Sequence, residues 1–297
     1  VLGLIFETWG IAMSELKKIA IIGYGFVGKA IDFGFSKNVK KIIIDPKINT
    51  SVNDLSSLNI DFIFIAVPTP MNKDGTQDDF IIKSVLEEIS LLKLKATIII
   101  KSTVLPSNLK KISTRFDNII YNPEFLRENF AEEDFINSKG VILGGDKENI
   151  QKVKNLYLDS SNVKNLEFFE TDIHTASLVK YSINSFLALK VAFFNQIFNL
   201  AKKDNDFSWN EFIEVLSHDP RIGDSHLKVP GPDGRFGFGG ACFPKDTAAL
   251  IKYAQDNDVD FSILEAAVKF NNKIRKSYKI NEERELEQKV NFDFLND

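Results

Sequence analysis

The sequence contains one cysteine, and the residues around it have the types and spacing of a reactive site. Cys242 lies in the segment 237–246, behind three glycines and ahead of a lysine and an aspartate. Glycine has no side chain, so such a loop lets backbone and sulfur approach a bound molecule closely. Asp246 lies on the same side as Cys242 if the segment turns helical. A lone cysteine is often a buried packing residue, but these neighbours favour Cys242 as a nucleophile.

A second segment has the spacing of a phosphate-binding turn. An apolar run is followed directly by the motif G-x-G-x-x-G, which reads Gly23-Tyr24-Gly25-Phe26-Val27-Gly28. Its glycines permit a tight turn, close approach of a pyrophosphate and packing of the next helix on the strand. A second apolar run ends at Asp45, roughly 20 residues after Gly23. An acidic side chain there accepts ribose hydroxyls and repels a 2′-phosphate, which favours NAD over NADP as cofactor. The alternative is a glycine-rich turn in an unrelated α/β protein.

These motifs sit in a chain whose first half alternates between strands and helices. Short β-branched runs separated by helical patterns predict a Rossmann-like, doubly wound, mostly parallel sheet over residues 17–170. Ligands of such sheets bind at the carboxyl ends of the strands, where Thr103 and the segment 122–128 also fall. Glu124 and Glu128 are candidates for a general base or for ordering a water. They could equally be the solvated start of a helix.

The second half, from residue 171 to 276, is predicted to be entirely helical. Residues 174–202 are apolar on nearly every face and predict a rod on the order of 40 Å long. A helix that is apolar all round must be covered on all sides, so we expect it to pack against a second subunit. Lys180 and Asn184 share one face of this helix and need partners there. A salt bridge or a hydrogen-bonded core pair would also satisfy them.

Further helices are predicted over 208–216, 245–257 and 261–276, and residues 277–297 form a charged tail. The first twelve residues are apolar but lack the basic start of a signal peptide. Met13 is the expected natural start, which makes residues 1–16 an N-terminal extension. No segment is long and apolar enough to predict a transmembrane span.

Composition excludes several classes of function. The formal net charge is −4, and the lysines are dispersed among acidic residues, so nucleic acid is not an expected partner. One cysteine allows no intrachain disulfide, which suits the reducing cytoplasm. The three histidines are far apart and no cluster has metal-ligand spacing, so we expect no metal.

Taken together, five segments resemble the UDP-glucose/GDP-mannose dehydrogenase family. They occur in the family's order over about residues 17–276: the turn 23–28, Ser102-Thr103-Val104, Asn122-Pro123-Glu124-Phe125-Leu126-Arg127-Glu128, Lys180-Tyr181-Ser182-Ile183-Asn184 and the loop 237–246. Five ordered motifs make the resemblance specific.

The resemblance implies three sets of site residues. The catalytic set comprises a nucleophile with its acidic partner, donors to an oxyanion, and groups that hold and activate water: Cys242 with Asp246, Lys180 with Asn184, and Thr103 with Glu124 and Glu128. The implied NAD contacts are Gly23, Gly25, Phe26, Val27, Gly28, Asp45, Thr103 and Lys245. The implied substrate contacts are Glu124, Phe125, Leu126, Arg127, Lys180, Asn184, Gly239 and, from a neighbouring subunit, Arg221.

The resemblance also implies the reaction, a four-electron oxidation of a nucleotide-sugar at C6 by two NAD⁺. UDP-glucose is the leading substrate, and its product UDP-glucuronate serves polysaccharide biosynthesis. The primary alcohol becomes an aldehyde, which the thiol traps as a thiohemiacetal, and a thioester that water hydrolyses. A thiol has a pKa of about 8.5, so we expect Lys180 to favour the thiolate. Family members usually continue into a third domain, for which the residues after Lys276 are too few.

Two other functions remain open at this point. A two-electron β-hydroxyacid dehydrogenase would share the Rossmann domain, the helical domain and the Lys-x-x-x-Asn pair, but it needs no cysteine loop. A non-catalytic subunit that binds NAD or a nucleotide would keep the motifs without turnover. The expected assembly is a homodimer through the helix 174–202.

Overall fold

A computed structural model describes residues 16–164, 166–278 and 281–295. Except for Leu16, the predicted N-terminal extension lies outside the described residues, so Met13 as the natural start remains a prediction. Residue 165 also lies outside the described residues, and the strand nearest to it begins at Phe168.

Seven strands form one sheet in the spatial order β2-β1-β3-β4-β5-β6-β7. Neighbouring strands are parallel except β5 and β6, which are antiparallel. Two central strands are buried along their whole length, as expected for branched apolar runs that lack alternation. The strands are β1 (Lys17–Ile22), β2 (Val39–Ile44), β3 (Phe62–Ile65), β4 (Thr97–Ile100), β5 (Ile119–Tyr121), β6 (Val141–Gly144) and β7 (Phe168–Thr171).

Helices cover both faces of this sheet. They are α1 (Phe26–Gly34), α2 (Phe80–Leu91), α3 (Pro106–Ser113), α4 (Ala131–Ile136) and α5 (Lys147–Ser160). Successive residues of β3 point to opposite sides, so Ile63 and Ile65 join one apolar core. Phe64 joins the other core, with Phe35 and Tyr157. The predicted Rossmann-like, doubly wound and mostly parallel sheet is confirmed.

The rest of the described chain is helical, as predicted. Its helices are α6 (Ile173–Ala201), α7 (Trp209–Ser217), α8 (Phe243–Gln255), α9 (Ser262–Arg275) and α10 (Glu283–Glu287). The start of α6 is fixed by Asp172, whose carboxylate accepts hydrogen bonds from the N–H groups of His174 and Thr175. Because α6 follows β7 after a single residue, the sheet positions the helix that carries Lys180 and Asn184.

One face of α6 is not covered by the described residues. Its large apolar side chains, 37% to 70% exposed, are Leu178, Ile183, Phe186, Phe193 and Leu200. Lys180 and Asn184 lie on the same helix, but their side chains are buried. The apolar exposure that motivated the prediction of a second subunit is therefore present on the monomer.

The charged C-terminal segment is folded onto the rest of the molecule. Its Glu285 is completely buried and lies 3.2 Å from the guanidinium of buried Arg275 in α9. The carbonyl of Phe294 accepts a hydrogen bond of 2.7 Å from Asn272 in the same helix. A buried guanidinium requires a carboxylate partner, and Arg275 explains why a charge-rich segment is held against the helical half.

Candidate active site

The turn after β1 has the shape that the glycine motif predicts. Gly23 has a φ of +92°, and a Cβ there would lie 2.6 Å from the carbonyl oxygen of Ala66. A Cβ on Gly28 would collide with the carbonyl oxygen of Gly23, which explains the close contact between α1 and the turn. At Gly25 a Cβ would meet no atom within 4 Å, so the turn borders open space there. These three positions fit a pyrophosphate that approaches the backbone.

Asp45 follows β2 directly and stands beside this turn. Its carboxylate accepts hydrogen bonds from the N–H groups of Tyr24 at 2.6 Å and Lys47 at 2.8 Å. A cleft of about 420 Å³ opens between the turn, the strand ends and the cysteine loop. Its lining includes the predicted cofactor and catalytic residues Gly23, Gly25, Phe26, Val27, Asp45, Thr103, Glu124, Cys242 and Lys245. Groups far apart in sequence thus share one cavity.

The cysteine loop ends at the first turn of α8. Cys242 is the residue before the helix, and Pro244 occupies its first turn. Gly237 and Gly240 have φ values of +75° and +76°, which favour glycine. Glycine is required at position 239 for a different reason, because a Cβ there would overlap the guanidinium of Arg275. The structure thus places Gly239 against Arg275 and not on the wall of the cleft.

Behind the cysteine lies a buried carboxylate with two partners. Asp246 is 1% exposed and accepts a 2.7 Å hydrogen bond from the amide of Asn184. Its other oxygen lies 2.6 Å from the ammonium of Lys245. Asp246 lies one helical turn after Cys242, in the helical segment that the sequence predicted, and its contact with Asn184 joins α8 to α6. Asn184 and Asp246, which the sequence analysis had placed in different pairs, are therefore in direct contact.

Lys180 makes a second buried pair with Glu124. The ammonium lies 3.0 Å from the Glu124 carboxylate and also donates to the Glu124 backbone carbonyl. The other carboxylate oxygen accepts from the Leu126 N–H at 2.7 Å. Burial by itself raises the pKa of Glu124, but Lys180 and the Leu126 N–H outweigh it and hold the pKa below its usual value. Glu124 is therefore ionised and oriented.

The thiol of Cys242 is not activated in this state. Burial, the charge of Glu124 and that of Asp246 raise the pKa of Cys242 to about 11, although Lys245 and Lys180 act to lower it. Lys180 acts in the direction expected from the sequence, towards the thiolate, but burial and the two carboxylates outweigh its effect on the pKa. The reason is that each lysine is already paired with a carboxylate, at 3.0 Å and 2.6 Å.

This pKa predicts how the folded protein reacts with alkylating agents. Iodoacetamide reacts with thiolate, so the labelling rate of Cys242 should rise about tenfold per pH unit between about pH 8 and 10. In urea-unfolded protein the rate should level off above about pH 9. The chain has a single cysteine, so mass spectrometry of the labelled protein reports on this site alone. A folded-state rate that is already constant above about pH 8 would contradict the raised pKa.

The segment after β5 lines a second cavity of about 380 Å³. Phe125 places its ring 4.9 Å from the Lys180 ammonium, and Arg127 is paired with Asp134 at 2.6 Å. The predicted substrate residues on this cavity are Glu124, Phe125, Leu126 and Arg127. Glu124 also lines the cofactor cleft, so the two cavities meet at that carboxylate.

Two predicted residues stand apart from this cluster. Glu128 borders a surface groove beside α1 and α4, and its carboxylate lies 2.6 Å from the guanidinium of Arg284. Arg221 has an 86% exposed side chain and pairs with Asp219 at 2.6 Å. Neither residue lines the two cavities, whereas Glu124 lines both.

Sequence reasoning assigned no role to two buried residues at the site. Lys101 borders both cavities, and burial lowers its pKa to about 8 although Glu124 opposes the shift. Its ammonium donates to the Asn122 side chain at 3.2 Å. Tyr121 is completely buried, and burial raises the pKa of its hydroxyl far above the usual value. A lysine that ends an apolar strand was a usable signal for Lys101, but nothing in the sequence distinguished Tyr121.

Two further observations concern the part of the chain that the structure describes. Within residues 16–164, 166–278 and 281–295, no group of three or more His, Cys, Asp or Glu side chains is placed to hold a metal ion. None of the helices over those residues has the length and apolar character required to cross a bilayer.

Two models of one protein family match this chain. The model of the UDP-glucose/GDP-mannose dehydrogenase family, NAD binding domain, matches residues 45–160. The model of the same family's central domain matches residues 174–273, which include Lys180, Asn184 and Cys242. The prediction of NAD as the cofactor, made from the glycine turn and Asp45, is confirmed at the level of this family.

Named relatives agree with these models. The UDP-glucose 6-dehydrogenase of Rickettsia bellii is 37% identical over 221 residues, which are 72% of this chain and 49% of that protein. That of Campylobacter jejuni is 33% identical over an alignment that covers 88% of this chain and 73% of that protein. A solved UDP-glucose dehydrogenase from Pyrobaculum islandicum superposes with a TM-score of 0.74 at 25% identity, over 91% of this chain and 70% of that one.

This chain spans about half the length of the Rickettsia relative. One family model ends before β7 and the other begins after it, and together they include the strands β3 to β6, the long helix and the cysteine loop. The resemblance of the five motifs is therefore confirmed. The chain belongs to the UDP-glucose/GDP-mannose dehydrogenase family.

Proposed function

We propose that this protein oxidises a nucleotide-sugar at C6 to the acid, with UDP-glucose as the leading substrate and UDP-glucuronate as product. NAD would accept the two hydrides that this four-electron oxidation releases. The observation that carries the proposal is that Cys242 shares one cleft with the glycine turn and Asp45. A family member that bound a dinucleotide without oxidising an aldehyde would not need a thiol there.

Cys242 has the covalent role in this proposal. The first oxidation turns the C6 alcohol into an aldehyde, and the sulfur adds to its carbonyl carbon while the oxygen takes a proton, which gives a thiohemiacetal. Loss of a second hydride and a proton gives a thioester. Water then attacks the carbonyl carbon and expels the sulfur, which leaves the acid and a free Cys242.

The buried polar pairs supply charge and orientation for these steps. Lys180 and Asn184 are donors on one face of α6, and each can stabilise a negatively charged oxygen on the substrate. Glu124 is ionised and oriented by Lys180 and Leu126, which suits a base that takes a proton from the attacking water. Thr103 lies on the same cleft and is proposed to hold that water. We assign no catalytic step to Glu128, because it lines neither cavity and its carboxylate pairs with Arg284.

A homodimer through α6 is part of the proposal. The exposed apolar face of this helix, from Leu178 to Leu200, offers a surface for the same helix of a second copy. Arg221 is exposed and does not border the cavities of its own chain, which supports the expectation that it serves a neighbouring subunit. Light scattering of the purified chain measures this assembly directly.

The test of the function is the stoichiometry of NADH. Purified protein with limiting UDP-glucose and excess NAD⁺ should release two NADH per sugar, measured by absorbance. A panel of nucleotide-sugars identifies the preferred hexose and base, and a parallel series with NADP⁺ tests the specificity attributed to Asp45.

Two results would favour the other functions. One NADH per molecule of a hydroxyacid, with no reaction of any nucleotide-sugar, would identify a two-electron β-hydroxyacid dehydrogenase. Binding of NAD⁺ and UDP-glucose without turnover would identify a non-catalytic subunit. Either result overturns the proposed oxidation.

A further inference from the structure

The C-terminal segment 281–295 forms part of the wall of the dinucleotide cleft. Three of its residues, Arg284, Glu287 and Gln288, line the cavity together with Gly23 to Val27 and Asp45. This segment follows residue 273, where the match to the family's central domain ends. We propose that Arg284 binds the pyrophosphate of the dinucleotide, an inference that rests on the proposed use of NAD.

The segment is fastened to both halves of the molecule. On the helical side, Glu285 contacts Arg275 at 3.2 Å and accepts a hydrogen bond of 3.1 Å from the Gly240 N–H in the cysteine loop. On the sheet side, the Gln288 carbonyl accepts from the Met71 N–H at 2.9 Å. Arg284 directly precedes Glu285 in the helix α10, so its backbone is fixed at the mouth of the cleft.

The Arg284 guanidinium lies beside the start of α1. Its central carbon is 5.6 Å from the centre of the Phe26 ring, and Phe26 is the first residue of that helix. Backbone N–H groups at the start of a helix after a glycine turn attract a phosphate, so the guanidinium stands where an anion is expected. A planar guanidinium can make two parallel hydrogen bonds to phosphate oxygens.

Arg284 has donor capacity that its present partners do not use. Its Nε atom lies 2.6 Å from a Glu128 oxygen, but the buried N–H has no hydrogen-bond acceptor in the described part of the chain. Another nitrogen pairs with Glu287. The two carboxylates therefore hold the guanidinium on its Nε and Nη1 sides. Its Nη2 group makes no hydrogen bond to the described residues and is the donor from which a phosphate oxygen would accept.

The other cations of this cleft are less suited to the same task. Lys245 and Lys101 are buried and bonded to Asp246 and Asn122, whereas the Arg284 side chain is 32% exposed. Lys47 has an 85% exposed side chain and lies 3.6 Å from Glu287. Arg284 is the cleft cation that combines a fixed backbone with a place beside the glycine turn.

The experiment is calorimetric titration of the full chain with NAD⁺, ADP and adenosine. Arg284→Gln should raise the Kd for NAD⁺ and ADP by about 10- to 100-fold, as expected for loss of a charge-assisted hydrogen bond. The Kd for adenosine, which has no phosphate, should stay within about twofold, and this ligand also reports that the cleft is folded. Glu128→Gln should leave the NAD⁺ affinity equal or higher, because it removes a carboxylate that competes for the same guanidinium.

Lys289→Gln is the matched control. Lys289 is a cation of the same segment, pairs with Asp78 at 3.2 Å and does not line the cleft, so this variant should bind NAD⁺ like the unaltered protein. Unchanged NAD⁺ affinity in Arg284→Gln would overturn the inference and leave the proposed function standing. Equal losses for NAD⁺ and adenosine would overturn it as well, by showing a structural role. No NAD⁺ binding by the unaltered chain would overturn the proposed function and the inference with it.

Discussion

Replacing Cys242 with serine is expected to lower turnover of the nucleotide-sugar by about 10³-fold or more. A serine hydroxyl is a weak nucleophile without a base beside it, so the aldehyde is not carried forward to a bound ester. The variant should release at most one NADH per sugar in a single turnover, where the unaltered protein releases two. Its affinity for NAD⁺ should stay within about twofold, because the sulfur is only one of many groups that line the cleft.

Cys242→Ala serves as the comparison, since it removes the reactive atom and keeps the loop. Equal loss in the serine and alanine variants identifies the sulfur itself as the group required. A serine variant that still yields two NADH per sugar at the unaltered rate would show that the reaction does not pass through Cys242. Rapid quenching and mass spectrometry of the unaltered protein would detect the thioester directly.

The raised pKa of Cys242 has a consequence for when the thiol reacts. At neutral pH a thiol with a pKa of about 11 is almost entirely protonated. Glu124 and Asp246 cause part of this shift, so positive charge brought into the cleft by a ligand would act in the opposite direction. In this state the sulfur is therefore present as a thiol, which is oxidised less readily than a thiolate.

The sequence was sufficient to predict features that depend on local chemistry. The strands β1 to β4 are short runs rich in apolar residues, which predict buried strands. The turn from Gly23 to Gly28 requires glycine for steric reasons, so its motif can be recognised in the sequence. The spacing of Lys180 and Asn184 placed both on one face of α6, and the structure buries both there. These predictions depend on periods of two and 3.6 residues, which a sequence displays directly.

The pairings between side chains could not be predicted in the same way. Lys180 finds its partner 56 residues earlier, at Glu124, and Asn184 finds Asp246 62 residues later. Which carboxylate each donor meets depends on how α6 and α8 pack on the sheet. The choice between Glu124 and Glu128 was open for this reason. The protonation state of the thiol was open as well, because it reflects burial together with four neighbouring charges.

The buried contacts of the C-terminal segment 281–295 are the largest structural feature that the sequence analysis did not predict. Its composition indicated only a charged tail, because charged residues are normally exposed. The burial of Glu285 follows from the burial of Arg275, and that in turn follows from Gly239, whose missing side chain makes room for the guanidinium. Contacts among residues as far apart in sequence as Gly239, Arg275 and Glu285 produce no periodic pattern from which they could be predicted.

Lys180→Met is expected to lower turnover by about 10²- to 10³-fold, the usual effect of losing one donor to a charged oxygen. Affinity for NAD⁺ should change little, because Lys180 does not line the dinucleotide cleft. The variant should also lose about 3–5 kcal/mol of stability, since it leaves the buried Glu124 carboxylate without its ammonium partner. Initial rates and urea unfolding measure the two effects separately.

The Lys180→Met substitution should reverse the direction in which the Glu124 contribution to stability changes with pH. In the unaltered protein the pKa of Glu124 is lowered by folding, so its contribution is present above the unfolded pKa and is lost as pH falls through the folded value. Without Lys180, burial dominates and raises the folded pKa. The contribution is then present below the unfolded pKa and is lost as pH rises through the folded value. Urea midpoints between about pH 4 and 8 distinguish these slopes.

The double variant Lys180→Met with Glu124→Gln separates packing from chemistry. Removing both charges should restore most of the stability, because no buried carboxylate is left unpaired. Turnover should stay low, since neither the donor on α6 nor the base is present. If the double variant regains both stability and turnover, Lys180 serves only to neutralise Glu124. If Lys180→Met loses NAD⁺ affinity and keeps its turnover, Lys180 contacts the cofactor and the proposed oxyanion role fails.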